Sequence, residues 1–135
     1  MPVTVNWDTE EKHAIRLDIT GKWTWDEMWT ALDAIHTLLE EVNYTVSIVI
    51  PNCDVIVTTV PSGVLTQIGA FNRRRHPRSG TMLLIDERDT KANQLWYRMI
   101  GSVYPHFYNL FRFVSSTEQA RQAAREEYEK QVRQG

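Results

Sequence analysis

Residues Thr45–Ile50 read Thr-Val-Ser-Ile-Val-Ile, a near-continuous β-branched run stopped by Pro51. The run has the length of a strand and lacks the alternation of a half-exposed one. A strand of this kind is covered on both faces, as in a parallel sheet flanked by helices.

The flanking sequence supplies those helices. Thr24-Trp25-Asp26-Glu27 is a capping box, in which the Thr24 hydroxyl accepts from the Glu27 amide and the Glu27 carboxylate reaches back. Trp25, Met28, Trp29, Leu32, Ile35 and Leu39 follow at helical spacing and define one apolar face, with a stop near Val42–Asn43. Pro61-Ser62-Gly63 opens a second helix whose buried stripe is Val64, Ile68 and Phe71. Arg73-Arg74-Arg75-His76 crowd its C-terminal end, where cations suit the helix dipole, and Pro77 and Gly80 break it. Thr81–Ile85 reads as a second buried strand, ended by Asp86–Asp89. Thr90 is the expected cap of a third helix, with Leu95, Trp96, Met99, Ile100 and Val103 inward and Pro105 at its end. Leu110–Val114 is the last strand. Ser116-Thr117-Glu118-Gln119 is a second capping box, and Ala120, Ala124 and Tyr128 mark the apolar edge of a charged final helix.

Upstream, Val3–Trp7 and His13–Thr20 read as two strands of a hairpin around the polar stretch Asp8–Lys12. The connection Pro51–Thr59 holds one more apolar piece, Val55–Val57, which periodicity assigns to neither helix nor strand. The element order is therefore ββαβαβαβα. It predicts an α/β domain over residues 1–135: a mostly parallel five-stranded mixed sheet, four helices, and Val3–Trp7 antiparallel at the edge. At 135 residues and 42% hydrophobic, the chain suits a single domain with its own core.

Composition narrows the function classes. A net charge of −2 speaks against a dedicated nucleic-acid binder. Cys53 is the single cysteine, which excludes an intrachain disulfide and suits a reducing cytoplasm. No signal-peptide pattern opens the chain and no apolar stretch approaches membrane-spanning length, so a cytoplasmic protein is expected. His13, His36, His76 and His106 are scattered and Cys53 has no second thiol, so no metal or other cofactor is expected. Gly-x-Ser-x-Gly is absent around Ser62, since positions 60 and 64 are valine, and neither standard glycine-rich phosphate loop is present. With no nucleophile–base pair at a usable spacing, no catalytic residue is assigned and no enzymatic activity is expected.

Three features carry the candidate sites. Ser62 at a helix start either bears or binds a phosphate, or is simply a cap. Arg73, Arg74, Arg75 and Arg78 form the one basic cluster, with Arg73, Arg74 and Arg75 either an anion contact or a solvated helix end. Trp23, Trp25 and Trp29 lie close together. Trp25 and Trp29 share a helix face and read as core; Trp23, one position before the cap, is either exposed, lining a pocket or partner surface, or packed in the core, the safer reading.

The element order and lengths resemble the STAS or SpoIIAA-like family of bacterial anti-sigma-factor antagonists across nearly the whole chain. In that family an Asp-Ser-Ser-Gly-Leu signature opens the second helix, and its second serine is phosphorylated by a partner kinase. Here the place reads Val60-Pro61-Ser62-Gly63-Val64: Ser62 and Gly63 match, Val60 replaces the aspartate and Pro61 the first serine. The ending Phe113-Val114-Ser115-Ser116-Thr117-Glu118-Gln119-Ala120 is similar too. The resemblance implies a non-enzymatic signalling module that binds a regulatory protein, or a second copy of itself, through Ser62 and Gly63. The other reading is a carrier of a small apolar ligand or lipid, as in the related Sec14-type fold. A cavity lined by Trp96, Met99 and Tyr104 would favour the carrier. A closed core with an exposed apolar patch near Ser62 would favour the module.

Overall fold

The computed structural model describes residues 2–87, 91–105 and 110–134. The expected cap Thr90 and residue His106 lie outside the described residues. The protein is α/β: a five-stranded mixed sheet and, among the described residues, five helices. The strands are β1 (Val3–Trp7), β2 (Ala14–Ile19), β3 (Val46–Ile50), β4 (Ser79–Ile85) and β5 (Phe111–Val114). The helices are α1 (Trp25–Leu39), α2 (Cys53–Thr59), α3 (Val64–Arg74), α4 (Lys91–Val103) and α5 (Thr117–Gln134).

The strands lie side by side in chain order, β1-β2-β3-β4-β5, with β1 antiparallel to β2 and the other pairs parallel. A sheet wound in one direction by right-handed crossovers must carry every crossover helix on the same face. Accordingly α1 to α4 cover one face, on the side chains of Ile15, Leu17, Ile19, Ile48, Ile50, Met82 and Leu84. The opposite face, Ala14, Val49, Leu83, Ile85 and Val114, is left to α5. That helix presents Ala120, Ala123 and Ala124, small enough to let it lie close on the strands. All five residues of β3 are buried, as the β-branched run requires.

Both helix-start signals are present, with one difference. At α1 the capping box is complete: Glu27 N–H donates to Thr24 Oγ1 (3.2 Å) and Thr24 N–H to Glu27 Oε1 (3.0 Å). At α5 the Gln119 N–H donates to Ser116 Oγ (3.1 Å), but the Gln119 carboxamide accepts from Ser115 N–H (2.9 Å), one residue before the cap.

Three expectations are corrected. The four-helix count becomes five, because the Pro51–Thr59 connection contains α2. Its β-branched residues are poor helix formers, and burying Cys53 and packing Val55, Ile56 and Val57 on the core overrides that propensity. Gly80 does not break the chain but lies inside β4. There the ladder with β3 shifts register between Val46 and Ile48, the place where β4 carries one extra residue. On α4 the buried residues are Tyr97 and Ile100, while Leu95, Met99 and Val103 are exposed.

Gly80 leaves no room for a side chain beside Thr45 and the start of β3. A Cβ there would stand 2.9 Å from Thr45 Cγ2 and 3.0 Å from the Val46 carbonyl oxygen. Gly80→Ala is expected to destabilise the domain by about 1–3 kcal/mol through forced backbone movement. Gly21→Ala, with no atom within 4 Å of the new methyl, should stay within about 0.5 kcal/mol of wild type. Urea denaturation of the two variants checks this, and equal costs would contradict the close approach.

Candidate functional site

The helical face of the sheet does not close completely. Between α1, α3, α4 and the strands lies a partly open cavity of about 140 Å³. Its floor is Leu17, Ile48, Ile50, Met82 and Phe111, and its walls are Met28, Leu32 and Ile35 from α1 and Val64, Ile68 and Phe71 from α3. Four of the five tryptophans of the chain, Trp23, Trp25, Trp29 and Trp96, also line it.

Three of these indoles act as struts. Trp23 Nε1–H donates to Thr59 Oγ1 (2.9 Å), Trp25 Nε1–H to the Ser62 carbonyl (2.7 Å) and Trp29 Nε1–H to Gln67 Oε1 (2.6 Å). Together they tie the start of α1 to the segment from the end of α2 into α3. Each polar edge is satisfied, which leaves apolar ring surface toward the cavity. Trp23 and Trp25 also meet edge to face at 4.8 Å. Of the two readings for Trp23, core packing holds: at 5% exposure it is buried, with its indole N–H bonded to Thr59 on α2.

The far end of the cavity lies near the end of α1 and the start of β4, where polar residues stand behind an almost wholly apolar surface. His36, Arg75, His76 and Ser79 line it. His76 is fully engaged: its Nδ1 accepts from Arg78 N–H (3.0 Å) and its Nε2 meets Glu40 Oε1 at 2.7 Å. That hydrogen bond holds the exposed Glu40 carboxyl below its usual range. Arg75 is not fully engaged. One terminal nitrogen, Nη2, donates to the Ser79 carbonyl, but its Nε–H is buried without an acceptor. A buried donor left in that state costs on the order of 1–3 kcal/mol.

The structure separates the basic cluster rather than presenting it as one patch. Arg73 and Arg74 are exposed at the end of α3, with the Arg74 guanidinium 5.1 Å from the centre of the Trp29 ring. Arg75 turns inward to line the cavity, and Arg78 faces Glu40 (3.5 Å). The sequence offered no means of ranking the arginines, since helical phase is lost at the helix end.

Ser62 and Gly63 sit on the surface at the turn before α3. The cap of α3 is Gly63 itself, in the left-handed region at φ 85°, with no side-chain cap hydrogen bond. The capping reading of Ser62 is therefore corrected: the chain reverses through Gly63, and the Ser62 hydroxyl is not needed to start the helix. Of the three residues named for a carrier cavity, Trp96 lines it. Met99 points to solvent, and Tyr104 packs instead beside Gly69 on α3. Cys53 lies at the carboxyl ends of the inner strands β3 and β4, with its Sγ–H donating to the Ile85 carbonyl (3.2 Å). Burial, with Asp86 and Asp54 nearby, pushes its thiol up to about 12, so it is no nucleophile at neutral pH. Among the described residues no three His, Cys, Asp or Glu side chains gather into a group able to hold a metal ion. No helix among them is long and apolar enough to cross a membrane.

The two turn residues are expected to behave oppositely. Gly63→Ala should cost about 1–2 kcal/mol, the penalty of placing a Cβ at positive φ. Ser62→Ala should change stability by no more than about 0.5 kcal/mol, as for an exposed residue without a structural bond. Thermal or urea unfolding reads both, and a larger loss for Ser62→Ala would restore it as a cap.

Comparison of the chain with protein-family models, with curated proteins and with solved structures finds no match in any of the three.

Proposed function

We propose that the domain binds a small apolar molecule in the cavity between α1, α3 and the sheet. The observation that carries this reading is the cavity itself: about 140 Å³, walled by aliphatic side chains and four indoles whose N–H groups, in three cases, are already bonded elsewhere. A dry apolar cavity of about 150 Å³ holds a benzene-sized molecule, whereas pockets that bury larger ligands run to about 300–1,000 Å³. The size therefore favours a single ring or a single alkyl chain over a two-chain lipid, within the Sec14-like carrier reading.

The test is direct binding of a neutral single-ring probe, toluene, by isothermal titration calorimetry, with tryptophan emission as a second readout. Wild type is expected to bind the probe saturably. Leu32→Phe, which adds a ring at the cavity wall, should reduce affinity at least tenfold and leave the melting temperature no lower than wild type. Probe binding that Leu32→Phe does not weaken would place the site elsewhere.

A second reading, the STAS-type regulatory module, draws its support from the exposed Ser62–Gly63 turn ahead of α3, the place where the resemblance puts the phosphorylated serine. On this reading a negative charge at Ser62 sits inside a protein contact and opposes it by repulsion and desolvation. Ser62→Asp should then keep the melting temperature of wild type yet lose the partner that wild type captures from its native host. Equal capture by the two forms would remove Ser62 from any docking surface.

A further inference from the structure

We infer that the cavity selects a neutral arene, a single benzene ring bearing at most a short alkyl group, over a saturated ring, an open chain or a phenol of similar size. This rests on the apolar-ligand reading above and deepens it by naming the ligand class.

The lining is rich in rings. Besides the four indoles, Phe71, Tyr97 and Phe111 line the cavity, so aromatic side chains reach it from α1, α3, α4 and β5. Neighbouring rings stand nearly at right angles, Trp23 to Trp25 at 89° and Trp96 to Tyr97 at 83°. An aromatic ring has an electron-rich face and an electron-poor edge, and rings attract one another face to edge or in offset stacks. Whichever way a given wall ring is turned, an arene answers it with its own edge or face. A saturated ring or an alkyl chain has neither and takes only dispersion from the same contacts.

Rigidity points the same way. Three of the indoles are pinned through their N–H groups to Thr59, Ser62 and Gln67, which opposes re-packing of the wall around a ligand. A flat, rigid ring enters such a space with no torsions to freeze, whereas a chain surrenders rotational freedom. The volume of about 140 Å³ is close to the ~150 Å³ of a dry cavity that holds benzene. A polar substituent finds nothing to meet it. The cavity surface is almost wholly apolar, and behind it Thr59 Oγ1 and Gln67 Oε1 already accept from Trp23 and Trp29. A hydroxyl buried there without a partner carries its full desolvation cost.

Isothermal titration calorimetry with toluene, methylcyclohexane, pentane and p-cresol tests the assignment. For the three hydrocarbons each affinity is divided by the compound's hexadecane–water partition coefficient, so that differences in hydration cancel. On that scale wild type should favour toluene over methylcyclohexane and over pentane by about fivefold or more. p-Cresol, compared directly, should bind at least tenfold more weakly than toluene. Phe71→Leu, which keeps an apolar side chain and removes a ring, should cut the preference over methylcyclohexane at least twofold. It should bind methylcyclohexane no more weakly than wild type does, which an unfolded variant would not do. If Phe71→Leu does not fold, the ligand series on wild type decides alone. Equal scaled affinities for the three hydrocarbons, with toluene binding that Leu32→Phe weakens, overturn the arene assignment alone. p-Cresol binding as tightly as toluene overturns it as well, by revealing a polar partner in the wall. So does a toluene preference that a folded Phe71→Leu leaves unchanged. Absence of binding by all four compounds overturns the cavity reading and this inference with it.

Discussion

The structure depends on the burial of β3 from both sides. Its side chains alternate between two layers, Val46, Ile48 and Ile50 toward one and Val49 toward the other. Because β4 and β5 are then added in one direction, right-handed crossovers leave no choice of face for α1 through α4. The strand order never reverses, so the sheet lacks the switch-point crevice in which many α/β proteins bind ligands at the carboxyl ends of their strands. Space for a ligand has to come from within the helical layer.

The two faces are closed with different materials, and this explains where the space is. On the α5 face, three alanines meet Val49, Leu83, Ile85 and Val114. Small side chains on a helix allow close approach, and the layer packs without large rigid groups. On the other face, tryptophans stand between α1 and the segment leading into α3, each anchored by its indole N–H. A ring held at a fixed distance and angle cannot collapse into a gap as a methionine would. The anchoring bonds therefore keep the helices apart, and the floor of the sheet stays partly uncovered.

Much of this was legible in the sequence. The strand run at Thr45–Ile50, the capping box at Thr24 and Glu27, the first hairpin and the alternation of strands with helices follow from local chemistry. α2 was not, because Val55, Ile56 and Val57 belong by propensity in a strand and are helical only through tertiary burial. The facing of α4 was half legible for a different reason. Leu95, Met99 and Val103 form one apolar stripe at intervals of four, and Trp96, Tyr97 and Ile100 form another. Periodicity cannot choose between two apolar stripes. Packing buries Ile100 and also Tyr97, whose ring meets those of Phe111 and Phe113 on β5, and leaves the aliphatic stripe outside. At the site, the tryptophans were visible as a group but their anchoring was not, since their partners lie 36 to 38 positions away. The special status of Arg75 among adjacent arginines is a tertiary fact of the same kind.

The cavity also bears on stability. At ~24 cal/mol per Å³, 140 Å³ of unfilled apolar space corresponds to about 3 kcal/mol of lost packing, an upper bound because the cavity is partly open. Against the roughly 5–15 kcal/mol that holds a domain together, that is a large concession for a fold whose other face closes tightly. The unsatisfied Arg75 donor adds to it on the same side of the sheet. The cost falls on the helical face alone, where the anchored indoles hold α1 off the segment leading into α3 and leave the sheet's apolar floor partly uncovered.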